Sequence, residues 1–405
     1  SGAEVTIVHV ESGTVSRVTT DASGRYNARG LRVGGPYKIT ANTDGGAQSQ
    51  DDVYLNLDEV SQINIAFGAD ELETIEVTAS GFSQVFASDK MGSGSNVTRQ
   101  QIETYSSINR NLQDYVRFDP RIAQTDKSRN EISVGGQNPR YNSIRVDGIS
   151  TNDAFGLESN SLPTPKQPFS LDVIDEIAVD VANYDVTISG GTGGVINAVT
   201  KSGTNEFHGS VYGIYRDNDW SGKNQSNVRP VLFDNEQTYG FTLGGPIVKD
   251  KLFFFANYEK YTGKELFVGT GAGNGPIGSG ASNIVSITQA QIDEVLRIAN
   301  NVWSFNPGTL ALPALDTEAE EFGLKVDWNI SDKHRASFRY GKSEQSQANL
   351  NGFGATSLAL SSYQYSRDFD LETYTGALYS DWTENFSTEA KVSFRDYSAI
   401  RNPLA

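Results

Sequence analysis

From about residue 205 onward the chain falls into segments of roughly ten residues in which apolar and polar positions alternate, the period of a strand with one apolar face. Around Trp328 the two sets separate cleanly. Phe322, Leu324, Val326, Trp328 and Ile330 share one face, and Gly323, Lys325, Asp327 and Asn329 the other. Past the turn Ser331 to His334 the pattern repeats, with Ala336, Phe338 and Tyr340 alternating with Arg335, Ser337 and Arg339. Tyr239, Phe241 and Leu243, and again Val392 and Phe394, obey the same rule. Such strands turn the apolar row either to lipid, as a transmembrane β-barrel wall does, or to the dry centre of a soluble sandwich. Two features favour lipid. Aromatic residues gather near strand ends, in "YGIY", "FFFANYEKY" and "YSDW", as in the girdles at a membrane–water boundary. Connections also alternate in length, as outer loops and periplasmic turns do. The long polar ones are Gly263 to Pro313 and Ser343 to Asp370; the tight ones are Lys249-Asp250, Ser331 to His334 and Thr383 to Phe386.

The earlier part of the chain follows other patterns. Residues 1–70 carry short strand-like runs, "EVTIVHV", "TVSRVTT", "YKITAN" and "QINIAF", punctuated by "DASGR" and "RVGGP", which predicts a small β-sandwich. Residues 71–97 are poor in core-forming side chains and rich in Gly and Ser, as a linker is. Inside them "TIEVTA" (Thr74 to Ala79) alternates β-branched and polar residues. It suits either an edge strand of its own domain or an extended peptide that adds to another protein's sheet. Residues 98–204 predict a compact α+β unit. A helix opens on a capping box of Thr98 and Gln101 and ends before Asp119-Pro120, and the strands "EISVGGQ", "SIRVDGI", "IDEIAVDVA" and "GGVINAVTKSG" follow. "SITQAQIDEVLRIANNVW" (Ser286 to Trp303) has helical spacing, with Ile292, Val295, Leu296 and Ile298 on one side. It reads as a lid over a substrate or as local packing of a long loop.

Composition agrees with a mainly β protein: 40 Gly, 18 Tyr and 20 Phe among 405 residues. No apolar run approaches the roughly 18 residues of a membrane-spanning helix, so a helical membrane protein is excluded. A net charge of −17 repels phosphate backbones and argues against nucleic acid as a partner. With no cysteine, disulfides and thiolate chemistry are unavailable.

Three motifs in order resemble the plug of TonB-dependent outer-membrane transporters. They are "ISVGGQNPRYNSIRVDGIS" (Ile132 to Ser150), "SLDVIDEIAVDVANYDV" (Ser170 to Val186) and "GGTGGVINAVTKSGTNEFHGSVYG" (Gly190 to Gly213). Upstream, "TTDASGRYNARGLRVGGPYKITA" resembles the carboxypeptidase-regulatory-like domain of the Oar-like branch, and "ETIEVTAS" its TonB box. The resemblance implies four parts: that sandwich over 1–70, a linker with the TonB box over 71–97, a plug over 98–204 and the first part of a transmembrane antiparallel β-barrel over 205–405. It implies an importer in a Gram-negative outer membrane, with plug and N-terminal domain toward the periplasm. The partners would be membrane lipid, an unidentified extracellular substrate, and a TonB-type energy-transducing protein that grips Thr74, Ile75, Glu76, Val77, Thr78 and Ala79. Barrels of this family close with about 22 strands, whereas some 200 residues here provide about eight to ten. A fragment at both ends is therefore expected. A non-transporting adhesion or structural protein of the same fold is the alternative.

Candidate chemistry is sparse. His9, His208 and His334 are scattered and no HExxH occurs, so neither metal nor cofactor is expected. By the resemblance, His208 falls at the foot of the first wall strand, in an interfacial or lumenal structural role. No GxSxG occurs, and "GTGAGNGPIGSG" (Gly269 to Gly280) lacks dinucleotide-binding spacing, so no enzyme is expected. Asp147, before Gly148, suits a turn better than a ligand site. By the resemblance, the plug loop "NDAFGLESNSLPTPKQPF" would reach substrate, with Phe155, Leu157 and Gln167 as candidate contacts.

Overall fold

The computed structural model describes residues 2–57, 59–67, 94–107, 109–126, 129–156, 158–181, 183, 188–223, 227, 233–265, 274–281, 283–310, 316–349, 356–383 and 386–403. The sequence segments that predict strands become, first, a four-stranded antiparallel sheet in the order β2-β1-β3-β4: β1 Glu4–His9, β2 Thr14–Thr19, β3 Gly34–Thr43 and β4 Gly46–Leu55. Alternate residues of β1 and β3, namely Val5, Ile7, Tyr37, Ile39 and Ala41, bury one face. Extended chain forms the layer opposite, through Tyr26, Leu31, Ile63 and Ile65. "QINIAF" is therefore no strand: its isoleucines cover the sheet without joining a ladder, and the Ile63 carbonyl accepts the Tyr26 hydroxyl at 3.0 Å. β4, which alternation does not reveal, is held by its ladder to β3 and is exposed along most of its length.

The α+β unit has a five-stranded sheet, β5-β10-β11-β8-β9, comprising β5 Gly94–Val97, β8 Ser143–Val146, β9 Ile149–Ser150, β10 Ile174–Asp180 and β11 Val195–Thr200. Two short helices, α1 Arg99–Thr104 and α2 Gln113–Val116, stand where the sequence suggests one. α1 has the expected capping box between Thr98 and Gln101. A separate hairpin, β6 Ile122–Asp126 with β7 Glu131–Val134, completes the unit. β11 runs in the middle, parallel to β8 and antiparallel to β10, and its "VINAVT" is apolar almost without interruption because both of its faces are covered. Before it, Gly191 sits at φ +81°, and a Cβ there would press on Val195, which is why the turn is glycine-rich.

The remaining strands form one antiparallel seven-stranded sheet in which each strand pairs with the next: β12 His208–Asp217, β13 Phe233–Val248, β14 Leu252–Glu265, β17 Asp316–Ser331, β18 His334–Asn349, β19 Tyr365–Thr383 and β20 Phe386–Pro403. Seven strands, rather than eight to ten, are described because β13, β14 and β17 to β20 run for 14 to 19 residues each. The connection from β14 to β17 also takes up the parallel pair β15 Asn274–Ile277 and β16 Asn283–Thr288 and the helix α3 Gln289–Trp303. α3 is where spacing predicts it, capped by Thr288 and Gln291. Only Ile292 of its apolar side is buried; Val295 and Ile298 stay exposed.

The wall has the two faces that alternation predicts. Phe322, Trp328, Ile330, Phe338, Val392 and Phe394 are exposed on the outside, whereas Asp327, Arg335, Ser343, Gln345 and Thr375 are buried on the inside. A row of aromatic rings crosses six strands on the outer face. Phe241 stacks near Tyr258 at 6.1 Å, Phe322 near Tyr340 at 6.1 Å, Tyr340 near Tyr374 at 5.0 Å, and Tyr374 near Phe394 at 6.3 Å. The register sets Tyr258 beside Phe322 and closes the series. Beyond this row the same face turns charged: Lys260 pairs with Glu320, Lys342 with Glu344, and the Tyr340 and Tyr374 hydroxyls donate to Glu372. The apolar band thus ends at an aromatic boundary, as a lipid-facing surface does.

Candidate functional site

The α+β unit, called the plug after the resemblance above, sits against the polar face of the wall, and side chains of both meet there. The contact is built from charges and hydroxyls, with few apolar side chains. Arg110 reaches from the plug to Glu259 of β14 at 3.0 Å and also pairs with Asp172. Its guanidinium lies over the Tyr212 ring of β12, 4.8 Å from the centroid. Ser170 and Tyr212 donate to the same Glu259 oxygen at 2.9 and 2.7 Å. Burial alone would lower the pKa of Arg110, but Glu259 and Asp172 reverse this and hold it above its ordinary value. The backbone at Arg110 is held at φ 51°, an unfavourable conformation for a non-glycine residue.

A second contact centres on Asp147. It does occupy a turn, at φ 51° before Gly148, yet its carboxylate also accepts the Thr200 amide at 2.9 Å and the Thr200 hydroxyl at 2.8 Å. Lys325 of β17 and Arg339 of β18 each approach it at 3.8 Å, and Lys325 donates to the Thr200 carbonyl at 2.9 Å. Burial pushes the Asp147 carboxyl up, but the two cations and the Thr200 bonds outweigh it and keep it below its usual range. Higher on the wall, Lys166 and Gln345 exchange two bonds, Arg367 pairs with Glu158, and Tyr397 donates to the Pro163 carbonyl. Apolar contact is concentrated at Phe255, which joins the plug core. The sequence assigns Lys325 and Arg339 to the inner face, but nothing in their spacing names Asp147 as their counterpart, nor Glu259 as that of Arg110. These pairs lie far apart in sequence and only the fold joins them.

Of the candidate substrate contacts, Phe155 stands out from its loop at 73% exposure. The Gln167 side chain is engaged within the plug, accepting the Leu112 amide and donating to the Phe169 carbonyl, both at 2.7 Å. Leu157 and the TonB-box segment Thr74 to Ala79 lie outside the described residues.

The N-terminal sheet docks beneath plug and wall. Arg32 donates to the Gly203 carbonyl at 2.9 Å and lies over the Phe253 ring, 5.0 Å from its centroid. Arg335 donates to the Arg29 carbonyl at 3.0 Å, Asn329 to the Thr14 hydroxyl at 2.8 Å, and Arg17 pairs with Asp332 in the β17–β18 turn. Gly203 marks the passage from plug to wall. A Cβ there would strike the backbone carbonyls of Phe254 and Gly245, so only glycine lets the chain lie that close to the strands. Glu176 ties in the segment after the N-terminal sheet, accepting the Leu57 amide at 3.0 Å and the Asn96 side chain at 2.8 Å.

The histidines stay apart. His9 is buried against Tyr37 and Ser12, burial lowering its pKa to about 4; His208 is exposed at the foot of β12; and His334 packs on Trp382. Among the described residues no group of three or more His, Asp or Glu gathers at metal-binding distance, and no helix is long and apolar enough to cross a membrane.

Comparison with known proteins matches this architecture. A model of the carboxypeptidase regulatory-like domain matches residues 1–68, and one of an outer membrane beta barrel domain matches residues 199–270. The TonB-dependent transporter Oar of Myxococcus xanthus is 30% identical over 258 residues, 60% of this chain and 23% of that protein. A probable TonB-dependent siderophore receptor, PirA of Acinetobacter baumannii, is 30% identical over 226 residues, 50% of this chain and 27% of that protein. The chain thus spans about a quarter of the length of these relatives. Among solved structures, the ferric enterobactin receptor PfeA shares the fold at a TM-score of 0.50 and 17% identity, over 76% of this chain and 41% of that one. The relatives are transporters and receptors, and the wall belongs to a Gram-negative outer membrane. Over the stretches that match, the chain is homologous to TonB-dependent outer-membrane transporters, and its match to a carboxypeptidase regulatory-like domain precedes its match to an outer membrane beta barrel domain.

Proposed function

We propose that the protein of which this chain is part imports a substrate across the outer membrane, driven by a TonB-type protein that pulls on Thr74 to Ala79. The supporting observation is the chemistry of the plug–wall contact. A plug meant to stay would bury apolar surface; this one is held by hydrogen bonds and ion pairs at Arg110, Asp147, Lys166 and Glu158, which water can replace as the plug moves. No bond is made or broken in such a cycle, and no catalytic residue or cofactor is called for. The working units are the N-terminal domain 1–70, the linker 71–97, the plug 98–204 and the wall from 205. Phe155 and Leu157 are the proposed outer contacts to substrate, and Gln167 holds the base of their loop. Deleting Thr74 to Ala79 from the full-length protein should abolish uptake while surface binding of the substrate persists. Undiminished uptake by that deletion would overturn the coupling role.

A further inference from the structure

A cavity of about 270 Å³ lies between the flank of the plug and strands β18 to β20, at mid-height of the wall. Arg339 and Ser343 mark that height, near the middle of a strand that runs from His334 to Asn349. Its lining is unlike the rest of the chain. The whole sequence carries −17, yet this cavity is lined by two arginines, Arg339 and Arg395, and by no carboxylate. Six of its lining residues carry hydroxyls, Ser343, Thr375 and Ser393 among them, and Phe169 and Leu371 supply an apolar floor.

The positive charge is only partly neutralised by the protein. Asp147 is the one carboxylate that Arg339 pairs with among the described residues, and it is shared with Lys325. Arg395, half-buried, donates to the Asn152 carbonyl at 3.1 Å and forms no ion pair among the described residues. Arg339 thus shares its one ion-paired carboxylate with Lys325, and Arg395 is ion-paired with none among the described residues. Placing guanidinium groups away from bulk water without counter-charge is unfavourable, and an oxyanion with its planar or tetrahedral oxygens is the partner that their fork geometry fits.

We infer that the cavity between the plug and β18 to β20 is a binding site for a small oxyanion, a carboxylate- or phosphate-bearing ligand held by Arg339 and Arg395 and by the surrounding hydroxyls. This goes beyond the transport reading, because the site binds whether or not a TonB-type protein acts on the plug. A volume of this size admits a ligand of small-metabolite dimensions.

Gly341 offers a clean way to close the cavity. It lines the space, and a Cβ added there would meet only the Arg339 guanidinium, at 3.8 Å. The test is isothermal titration calorimetry of the full-length protein in detergent with citrate and, separately, with inorganic phosphate, glucose serving as the uncharged control. Citrate or phosphate should bind and glucose should not; which of the two binds tells a carboxylate ligand from a phosphate ligand. Arg395→Gln should weaken the binding at least tenfold and Gly341→Leu should abolish it, whereas Lys342→Gln, which removes an equal charge from the outer face of the same strand, should leave it unchanged. The inference is overturned if neither anion binds, or if binding survives either Arg395→Gln or Gly341→Leu. Uptake is not measured, so this outcome is independent of the test of energy coupling.

Discussion

Two carboxyl groups in the plug, Glu176 buried and Asp147 half-buried, respond to pH in opposite senses. Burial pushes the Glu176 carboxyl up to about 8 while its oxygen accepts the Leu57 amide and the Asn96 side chain. Because this value lies above the ordinary 4.5, the folded state holds the proton more tightly. The contribution to stability is complete below about 4.5 and is lost as pH rises toward about 8. Glu176→Gln keeps an acceptor oxygen and removes the titration. Hydrogen exchange at the Leu57 amide, corrected for its intrinsic rate, should therefore accelerate from roughly pH 5 to 8 in the native protein and stay flat in the variant. Asp147 behaves conversely, its lowered value giving stability that is present above the ordinary 3.8 and lost as pH falls through the folded value. Asp147→Asn tolerates the same backbone conformation but leaves Lys325 and Arg339 without their carboxylate, at a cost on the order of 3–5 kcal/mol in plug docking. Faster exchange at the Thr200 amide, which Asp147 holds at 2.9 Å, would report that loss, and unchanged exchange would show the contact to be idle.

Among the elements, the wall was the most legible because a period of two carries both the strand and its faces. A shift of one residue would have exchanged Phe338 with Arg339, and the structure keeps them apart as the alternation requires. The same logic gives a graded test. Phe338 lies in the apolar outer band, so Phe338→Arg should cost about 2–4 kcal/mol in reversible folding of the full-length protein into vesicles. Lys342→Ala, on the same face beyond the aromatic row, should cost less than about 1 kcal/mol. Equal costs would mean that this face does not meet hydrocarbon. Elsewhere the alternation misled or was silent. "QINIAF" has the strand pattern but covers a sheet from outside its ladder, and β4, with Gln48, Ser49, Gln50, Asp51 and Asp52 in sequence, is specified by pairing with β3 and not by its own side chains. Seven wall strands are described where alternation suggests eight to ten, because pattern length reports the greasy band, whereas hydrogen bonding carries these strands past it. The plug–wall ion pairs could not be read at all: Asp147 and Lys325 stand 178 positions apart, and no local period encodes a partner at that range.

For the molecule as a whole, the docked N-terminal domain has the widest consequence. Its contacts run to three structures at once, through Arg32 to the plug–wall passage at Gly203, Arg335 and Asn329 to the wall strands, and Arg17 to a wall turn. These bonds are polar, and two use backbone acceptors, so the domain is positioned by direction, with the Phe253 ring under Arg32 adding an aromatic contact. Glu176 then fixes Leu57, and Ile63 and Ile65 keep the following chain on the N-terminal sheet, which leaves residues 68–93 to connect the docked domain to the first plug strand. A pull applied within that stretch must act on the domain at one end and on β5 at the other, and β5 is the edge strand of the plug sheet, paired to β10 alone. These 405 residues hold no cysteine, so Thr14→Cys with Asn329→Cys can be joined by a short bifunctional thiol-reactive reagent, with each single-cysteine variant as the background control. The pair should cross-link nearly completely in isolated outer membranes, since these side chains touch at 2.8 Å. Adding Arg32→Ala and Arg335→Ala should lower that yield several-fold while the heat-modifiable mobility of the folded wall stays as it was. A yield that ignores both arginines would show that the domain is held by something other than these bonds. A yield near zero in the parent pair would show that the domain does not rest beneath the plug.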